Sequence, residues 1–169
     1  HGCNGKMGQV ITRLVAEDEG AVIVAGIDTY TGIENPYPVY KSLEECEEEA
    51  DVVIDFSNAK AVDGLLNMCA DRKLPVVLCT TGLSEEQIAL VEETAKKTAV
   101  LKSANMSLGI NLLMKLLKEA AKVLAPAGYD MEIVEKHHNK KVDAPSGTAL
   151  ALADSLNEAA GGVYEYKYD

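Results

Sequence analysis

A chain of 169 residues, 47% of them hydrophobic, is long enough to bury one ordinary core and part of a second. Its 27 acidic residues outnumber 16 basic ones, and the net charge of −11 repels phosphate backbones and argues against a nucleic-acid partner. No apolar run reaches membrane-spanning length, and the four cysteines lack metal-ligand spacing, so they read as reduced thiols of a cytoplasmic protein with no membrane or metal partner.

The elements then follow one another in a regular order. Residues 2–8 are glycine-rich and run into "MGQVITRLVAE", whose apolar spacing predicts an amphipathic helix. "AVIVAGID" (residues 21–28) is a continuous apolar run closing on an acid, as a buried parallel strand would. "TYTGIENPYPVYK" reads as a loop broken by Pro36 and Pro38, and Ser42 with Glu45 has the form of a capping box for a short acidic helix. "DVVIDFS" (residues 51–57) is a second strand, "NAKAVDGLLNMCADRK" a helix, and "LPVVLCTTG" (residues 74–82) a third strand. Ser84 caps "EEQIALVEETAKK", "AVLKSAN" (residues 99–105) is a short strand, and Ser107 opens the long helix "LGINLLMKLLKEAAKVLA". "YDMEIVEKHH" (residues 129–138) reads as a last strand, and Ser146 caps "GTALALADSLNEA". Alternating strands and helices predict an α/β fold, a doubly wound, Rossmann-like parallel sheet with right-handed crossovers.

Three features converge on the carboxyl edge of that sheet. Gly2, Gly5 and Gly8 are spaced to make a tight turn at a helix N-terminus, where free amides would receive a pyrophosphate. Asn4 stands at the usual second-glycine position, where asparagine tolerates left-handed backbone better than most residues. Asp28 follows Gly8 by 20 residues at the end of the next strand, the place of an acid that accepts hydrogen bonds from an adenosine ribose. Thr80, Thr81 and Gly82 close the third strand at the same edge. The weaker alternative, a glycine-rich turn entering any helix, explains none of the other two features.

The second cluster is "EKHHNKKVDAPSGTAL". Strand alternation would put Glu135 and His137 on one face, and the amides of Gly147 and Thr148 behind the Ser146 cap would form a carboxylate site. Taken alone, the segment also fits an exposed polar loop before a capped helix. A metal site is disfavoured because His137 and His138 are adjacent, and a serine hydrolase because Ser146 lacks the G-x-S-x-G elbow.

This E-x-H-H-x-x-K-x-D-A-P-S-G-T-A block, with "GCNGKMG", "DVVIDFS", "TTGL" and "SANMSLGIN" in order before it, resembles the 4-hydroxy-tetrahydrodipicolinate reductase (dihydrodipicolinate reductase) family along nearly the whole chain. The resemblance implies an NADH- or NADPH-dependent cytoplasmic oxidoreductase that reduces a small cyclic dicarboxylate in lysine (diaminopimelate) biosynthesis. By matching position, His137 resembles the acid/base residue and Lys141 the proton donor, while His138, Gly147 and Thr148 resemble substrate contacts. Gly2, Cys3, Asn4, Gly5, Lys6, Met7, Asp28, Cys79, Thr80, Thr81, Ser103, Ala104, Asn105 and Met106 resemble cofactor contacts. It also implies a dinucleotide-binding domain over residues 1–106, the beginning of an α+β substrate-binding domain over 107–169, a strand ahead of Gly2, further chain beyond Asp169, and a homotetrameric parent. Asp28, with no arginine immediately after it, favours NADH over NADPH. Two alternatives make different demands: another amino-acid-precursor dehydrogenase of the aspartate or homoserine type needs no His-His-x-x-Lys block, and a non-catalytic NAD-binding regulatory domain would bind cofactor without turnover.

Overall fold

The computed structural model describes residues 1–137, 139 and 144–168, which fall into two compact units, His1–Ser103 and Ala104–Asp169. The first unit is α/β: α1 (Lys6–Ala16), β1 (Gly26–Ile27), β2 (Val39–Tyr40), β3 (Val53–Asp55), α2 (Ala59–Arg72), β4 (Val76–Leu78), α3 (Glu85–Ala95) and β5 (Val100–Lys102). The second carries α4 (Leu108–Leu124) and α5 (Gly147–Ala159), which pack against each other and are joined by the Lys118–Glu158 ion pair.

Every strand pairing is parallel, as the alternating pattern requires. β1 pairs with β2, and β3, β4 and β5 form a second ladder in that order. His1 and Gly2 stitch the two ladders together. The His1 nitrogen donates to the Ile54 carbonyl and the His1 carbonyl accepts from Phe56, while Gly2 donates to Ile27 on the other side. That is the bonding of a parallel strand lying between β1 and β3. The order across the unit therefore reads β2, β1, His1–Gly2, β3, β4, β5, the doubly wound arrangement with the glycine turn at its point of reversal. A cavity of about 420 Å³ is lined by residues of both ladders and of the segment between them, among them His1, Val24, Ile27, Val52 and Ile54.

The main core is built where the pattern is most apolar. Val53, Val76 and Leu78 of the sheet meet Val62, Leu65, Leu66 and Cys69 of α2 and Val91 of α3. Helix boundaries follow their caps: the Asn58 side chain accepts from Lys60, Ser84 and Gln87 close a reciprocal capping box, and Ser107 and Ser146 accept from Ile110 and Ala149. At the far end of α2, Lys73 adopts a left-handed backbone with φ 53° and stops the helix.

Three expected elements differ from the structure, each for want of a partner or because of charge. Only Gly26–Ile27 of residues 21–28 is strand, and Val22 is 80% exposed, because the segment meets a bonded neighbour only at β2 and at Gly2. Residues 41–49 form turns rather than an acidic helix: Glu45 accepts from the Lys41 amide, and Glu48 accepts from Tyr40 and Cys46. Five glutamates crowded onto two turns would repel one another as a helix, and these bonds use them singly. The described residues of 129–138 form no ladder, and Val134 is 83% exposed, since no strand stands beside them among the described residues.

Leu66 is wholly buried at the centre of the core. Leu66→Ala should cost about 2–5 kcal/mol of stability by loss of transfer energy and a residual cavity, measurable by urea unfolding of the two proteins under identical conditions. A loss below about 1 kcal/mol would place the stabilising core of this unit elsewhere.

Candidate functional site

The glycine turn is held by contacts that admit no side chain. Gly2 has φ +80°, and a Cβ there would lie 2.7 Å from the Phe56 carbonyl oxygen. A Cβ at Gly8 would lie 2.4 Å from the carbonyl oxygens of both Gly2 and Cys3, so α1 starts hard against the turn. Gly5 is the N-cap of α1 and offers no side-chain bond, in contrast to the side-chain caps of α2, α3, α4 and α5. The first-turn amides of Lys6, Met7 and Gly8 thus keep their donors for an external acceptor, and the helix dipole adds positive potential there.

Asp28 leaves β1 beside this turn. Its Oδ2 accepts from the Asn4 amide and its Oδ1 from the Tyr30 amide, both at 2.9 Å. Each oxygen keeps further lone-pair capacity for a ribose hydroxyl. Asn4 acts otherwise than by left-handed backbone: among the described non-glycine residues only Lys73 has positive φ, whereas Gly2 carries the turn. The Asn4 side chain instead donates to the Tyr30 carbonyl and accepts from Asn35, which ties the turn to the loop after β1. An uncapped helix with a fixed acid beside it fits the phosphate and ribose of a dinucleotide.

A group that residue patterning passed over lies at the end of β3. Asp55 is 0% exposed and accepts four hydrogen bonds: from Ser57 Oγ at 2.6 Å, Thr80 Oγ1 at 2.6 Å, His1 Nδ1 at 2.7 Å and Ser57 N at 3.3 Å. Burial alone would raise its pKa, but the bonds from His1, Ser57 and Thr80 outweigh that and hold the carboxyl below its ordinary value. Its sequence signal was an acid closing a strand, the same signal that marked Asp28. Of the other candidates in this unit, Cys79 and Thr80 are buried at the end of β4, Thr81 is exposed, and the Ser103 amide donates to Leu78. The four cysteines are buried free thiols, and burial pushes those of Cys3, Cys69 and Cys79 up to about 11, which makes them poor nucleophiles.

In the second unit, Ser146 caps α5 through Ala149, leaving the Gly147 and Thr148 amides in the first turn. Glu135 accepts from the Ser146 amide at 2.8 Å, and its other oxygen lies 3.5 Å from His137 Nδ1. Asn105 donates to Thr148 Oγ1 at 2.9 Å, so one candidate cofactor residue touches one candidate substrate residue. Its neighbours Ala104 and Met106 are exposed or nearly so. His138 and Lys141 lie outside the described residues. Among the described residues, no group of three or more histidine, cysteine or acidic side chains is placed to hold a metal, and no helix is long and apolar enough to cross a membrane.

The family model described as "Dihydrodipicolinate reductase, N-terminus" matches residues 1–106, and "Dihydrodipicolinate reductase, C-terminus" matches residues 109–167. The chain belongs to the dihydrodipicolinate reductase family. The protein named 4-hydroxy-tetrahydrodipicolinate reductase in Caldanaerobacter subterraneus subsp. tengcongensis is 55% identical over 168 residues, covering 99% of this chain and 66% of the relative. Its namesake in Clostridium tetani is 47% identical over 167 residues, covering 99% of this chain and 65% of the relative. The solved structure of dipicolinate-bound dihydrodipicolinate reductase from Paenisporosarcina sp. TG-14 superposes with a TM-score of 0.76 at 28% identity, over 98% of this chain and 67% of that one. The chain therefore spans about two thirds of the length of the relatives it matches, and the α/β fold expected from the alternating pattern is that of the family.

The lowered pKa of Asp55 has a definite consequence for stability. Its contribution is fully present above the unfolded aspartate value of about 3.9 and is lost as pH falls through the lower folded value. The stability difference between the wild type and Asp55→Asn should therefore shrink when urea unfolding is moved from pH 6 to pH 3. A difference that stays constant over that interval would mean that the carboxylate is not stabilised by folding.

Proposed function

We propose that this chain is the dinucleotide-binding part and the start of the substrate-binding part of a cytoplasmic, NADH- or NADPH-dependent 4-hydroxy-tetrahydrodipicolinate reductase acting in lysine (diaminopimelate) biosynthesis. The observation that carries the reading is the pair of family models that together cover almost the whole chain. Two local features support it: the uncapped N-terminus of α1 with Asp28 beside it, and the α5 N-terminus with His137 preceding it. The reading places residues 1–106 in the first domain and 107–169 in the second, within a homotetrameric parent.

The residue roles follow from donor chemistry. The first-turn amides of α1 bind the pyrophosphate, with Gly2, Cys3, Asn4 and Gly5 shaping the turn and Lys6 and Met7 presenting N–H groups. Asp28 holds the adenosine ribose, while Cys79, Thr80, Thr81 and Ser103 through Met106 line the remainder. The dinucleotide, when bound, supplies hydride. The substrate's carboxylates are received by the Gly147 and Thr148 amides and by His138, through charge-assisted bonds about twice as strong as neutral ones. Lys141 donates the proton that the reduced substrate needs, since lysine is protonated at neutral pH, and it can pair with a carboxylate as well. His137 assists as acid/base, with its ring oriented by Glu135 at 3.5 Å.

In the full-length protein, Lys141→Ala should lower turnover by roughly 10²- to 10⁴-fold at saturating substrate while NADH affinity is retained, with His137→Ala acting in the same direction. Stopped assays of NADH consumption test both the reading and the assignment. No consumption by the wild type with this substrate removes the reductase reading. Full recovery of Lys141→Ala at high substrate reduces that lysine to a binding residue.

Cofactor choice is set by Asp28, whose carboxylate is fixed by two amides and so cannot turn away from a 2′-phosphate. Competitive titration of the full-length protein should show NADH bound more tightly than NADPH, and Asp28→Asn should narrow the gap. Tighter binding of NADPH by the wild type would mean that a cation, for example Lys41, offsets the acid.

A further inference from the structure

Asp55 touches three chain segments: His1 entering the glycine turn, Ser57 opening the loop before α2, and Thr80 closing β4. An ionised carboxylate accepts and cannot donate, so the two hydroxyls must point their protons at it. Each hydroxyl has one proton. With both spent at 2.6 Å on Asp55, Ser57 and Thr80 can offer anything else only lone pairs. Their oxygens stand 3.5 Å apart, one at the end of β3 and one at the end of β4, with Ser57 partly exposed and Thr80 buried.

We propose that Asp55 is a positioning residue that fixes Ser57 and Thr80 as a hydrogen-bond-accepting pair, which receives an N–H or O–H donor of the bound dinucleotide and rejects its phosphates. The proposal rests on the dinucleotide reading above and deepens it. A phosphate oxygen brings lone pairs against lone pairs at this point, so the pyrophosphate is left to the uncapped amides of α1. The donors a reduced dinucleotide carries are its ribose hydroxyls, the amide of its carboxamide and the adenine amino group, and each meets an acceptor pair. The location agrees with this division. Gly2 abuts the Phe56 carbonyl and the Ser57 backbone, so the acceptor pair and the amide-rich turn are adjoining walls of one edge.

Asparagine has nearly the size of aspartate but the opposite polarity at one of its two heads. In Asp55→Asn the carboxamide oxygen keeps the Oδ1 place, where the Ser57 amide, the Ser57 hydroxyl and the His1 ring donate. The NH₂ therefore takes the Oδ2 place and donates to Thr80, whose own proton is released and which turns from acceptor to donor. The full-length wild type, Asp55→Asn, Ser57→Ala, Thr80→Val and the double variant Asp55→Asn/Thr80→Val are titrated with NADH by fluorescence and melted in parallel. Asp55→Asn should weaken NADH about tenfold, and Ser57→Ala and Thr80→Val each by several-fold, as expected for loss of a buried hydrogen bond. The double variant should be no weaker than Asp55→Asn, because the acid acts through the hydroxyl. A purely structural acid would lower the melting temperature yet leave the affinities additive. Reduced 3-acetylpyridine adenine dinucleotide, which lacks the amide N–H, identifies the donor: an analogue that binds the wild type more weakly and is insensitive to Asp55→Asn assigns the carboxamide, and one that loses affinity in Asp55→Asn as NADH does assigns a ribose hydroxyl or the adenine amino group. Unchanged NADH affinity in Asp55→Asn overturns the proposal. If that variant does not fold, unchanged affinity in both Ser57→Ala and Thr80→Val overturns it instead. Absence of NADH binding by the wild type fells the dinucleotide reading itself, and this proposal with it.

Discussion

No side-chain carbon fits at Gly2 or at Gly8, and most of the first unit is arranged around that exclusion. At Gly2 the turn presses against the backbone leaving β3, and at Gly8 the first turn of α1 presses against the turn itself. The helix axis is consequently aimed by backbone contacts, which have few alternative conformations, rather than by side chains that could rotate. The same closeness lets His1 and Gly2 bond to β1 and β3 at once, so the turn sits where the order of the sheet reverses. Local steric exclusion, parallel pairing and the position of the amide donors are one constraint seen at three scales.

Two aspartates end two parallel strands, and their different surroundings give them different work. Asp28 sits at the rim with one backbone amide on each oxygen, so it is oriented but still able to accept from a ligand. Asp55 is enclosed and saturated by side-chain donors from three segments, so it organises neighbours rather than meeting anything from outside. A buried acid with fewer donors would be driven neutral, and the net fall in its pKa reflects how completely the burial is offset.

How much of this was legible in the sequence depended on whether the signal was local. The caps were, because Ser84, Ser107 and Ser146 bond to amides within their own first turn. The fold class was legible as well, since the alternation of apolar runs and amphipathic segments decides it. The segments 21–25 and 129–137 were misread because a strand exists only in its neighbour, and apolar alternation says nothing of whether a neighbour is there. The helix expected after Ser42 failed because a capping pattern cannot overcome crowded glutamates that find separate partners in Tyr40, Cys46 and Lys41. The glycine turn and Asp28 stood out by spacing, whereas Asp55 needed, besides its near neighbour Ser57, two donors that are distant in sequence, Thr80 at 25 residues and His1 at 54.

The two helix N-termini assigned to ligands show why a cap and a binding site are not opposites. At α1 the N-cap is glycine, so no capping side chain competes for the first-turn amides, which suits a doubly charged bridge of phosphates. At α5 the Ser146 side chain occupies only the Ala149 amide, and Glu135 occupies the Ser146 amide. What remains is the donor pair of Gly147 and Thr148, a width that matches one carboxylate with its two oxygens. Glu135 also holds its carboxylate against the Ser146 amide, and a negative charge there disfavours a highly charged anion at this helix end. The extent of capping thus sets how many first-turn amides each helix end keeps as free donors.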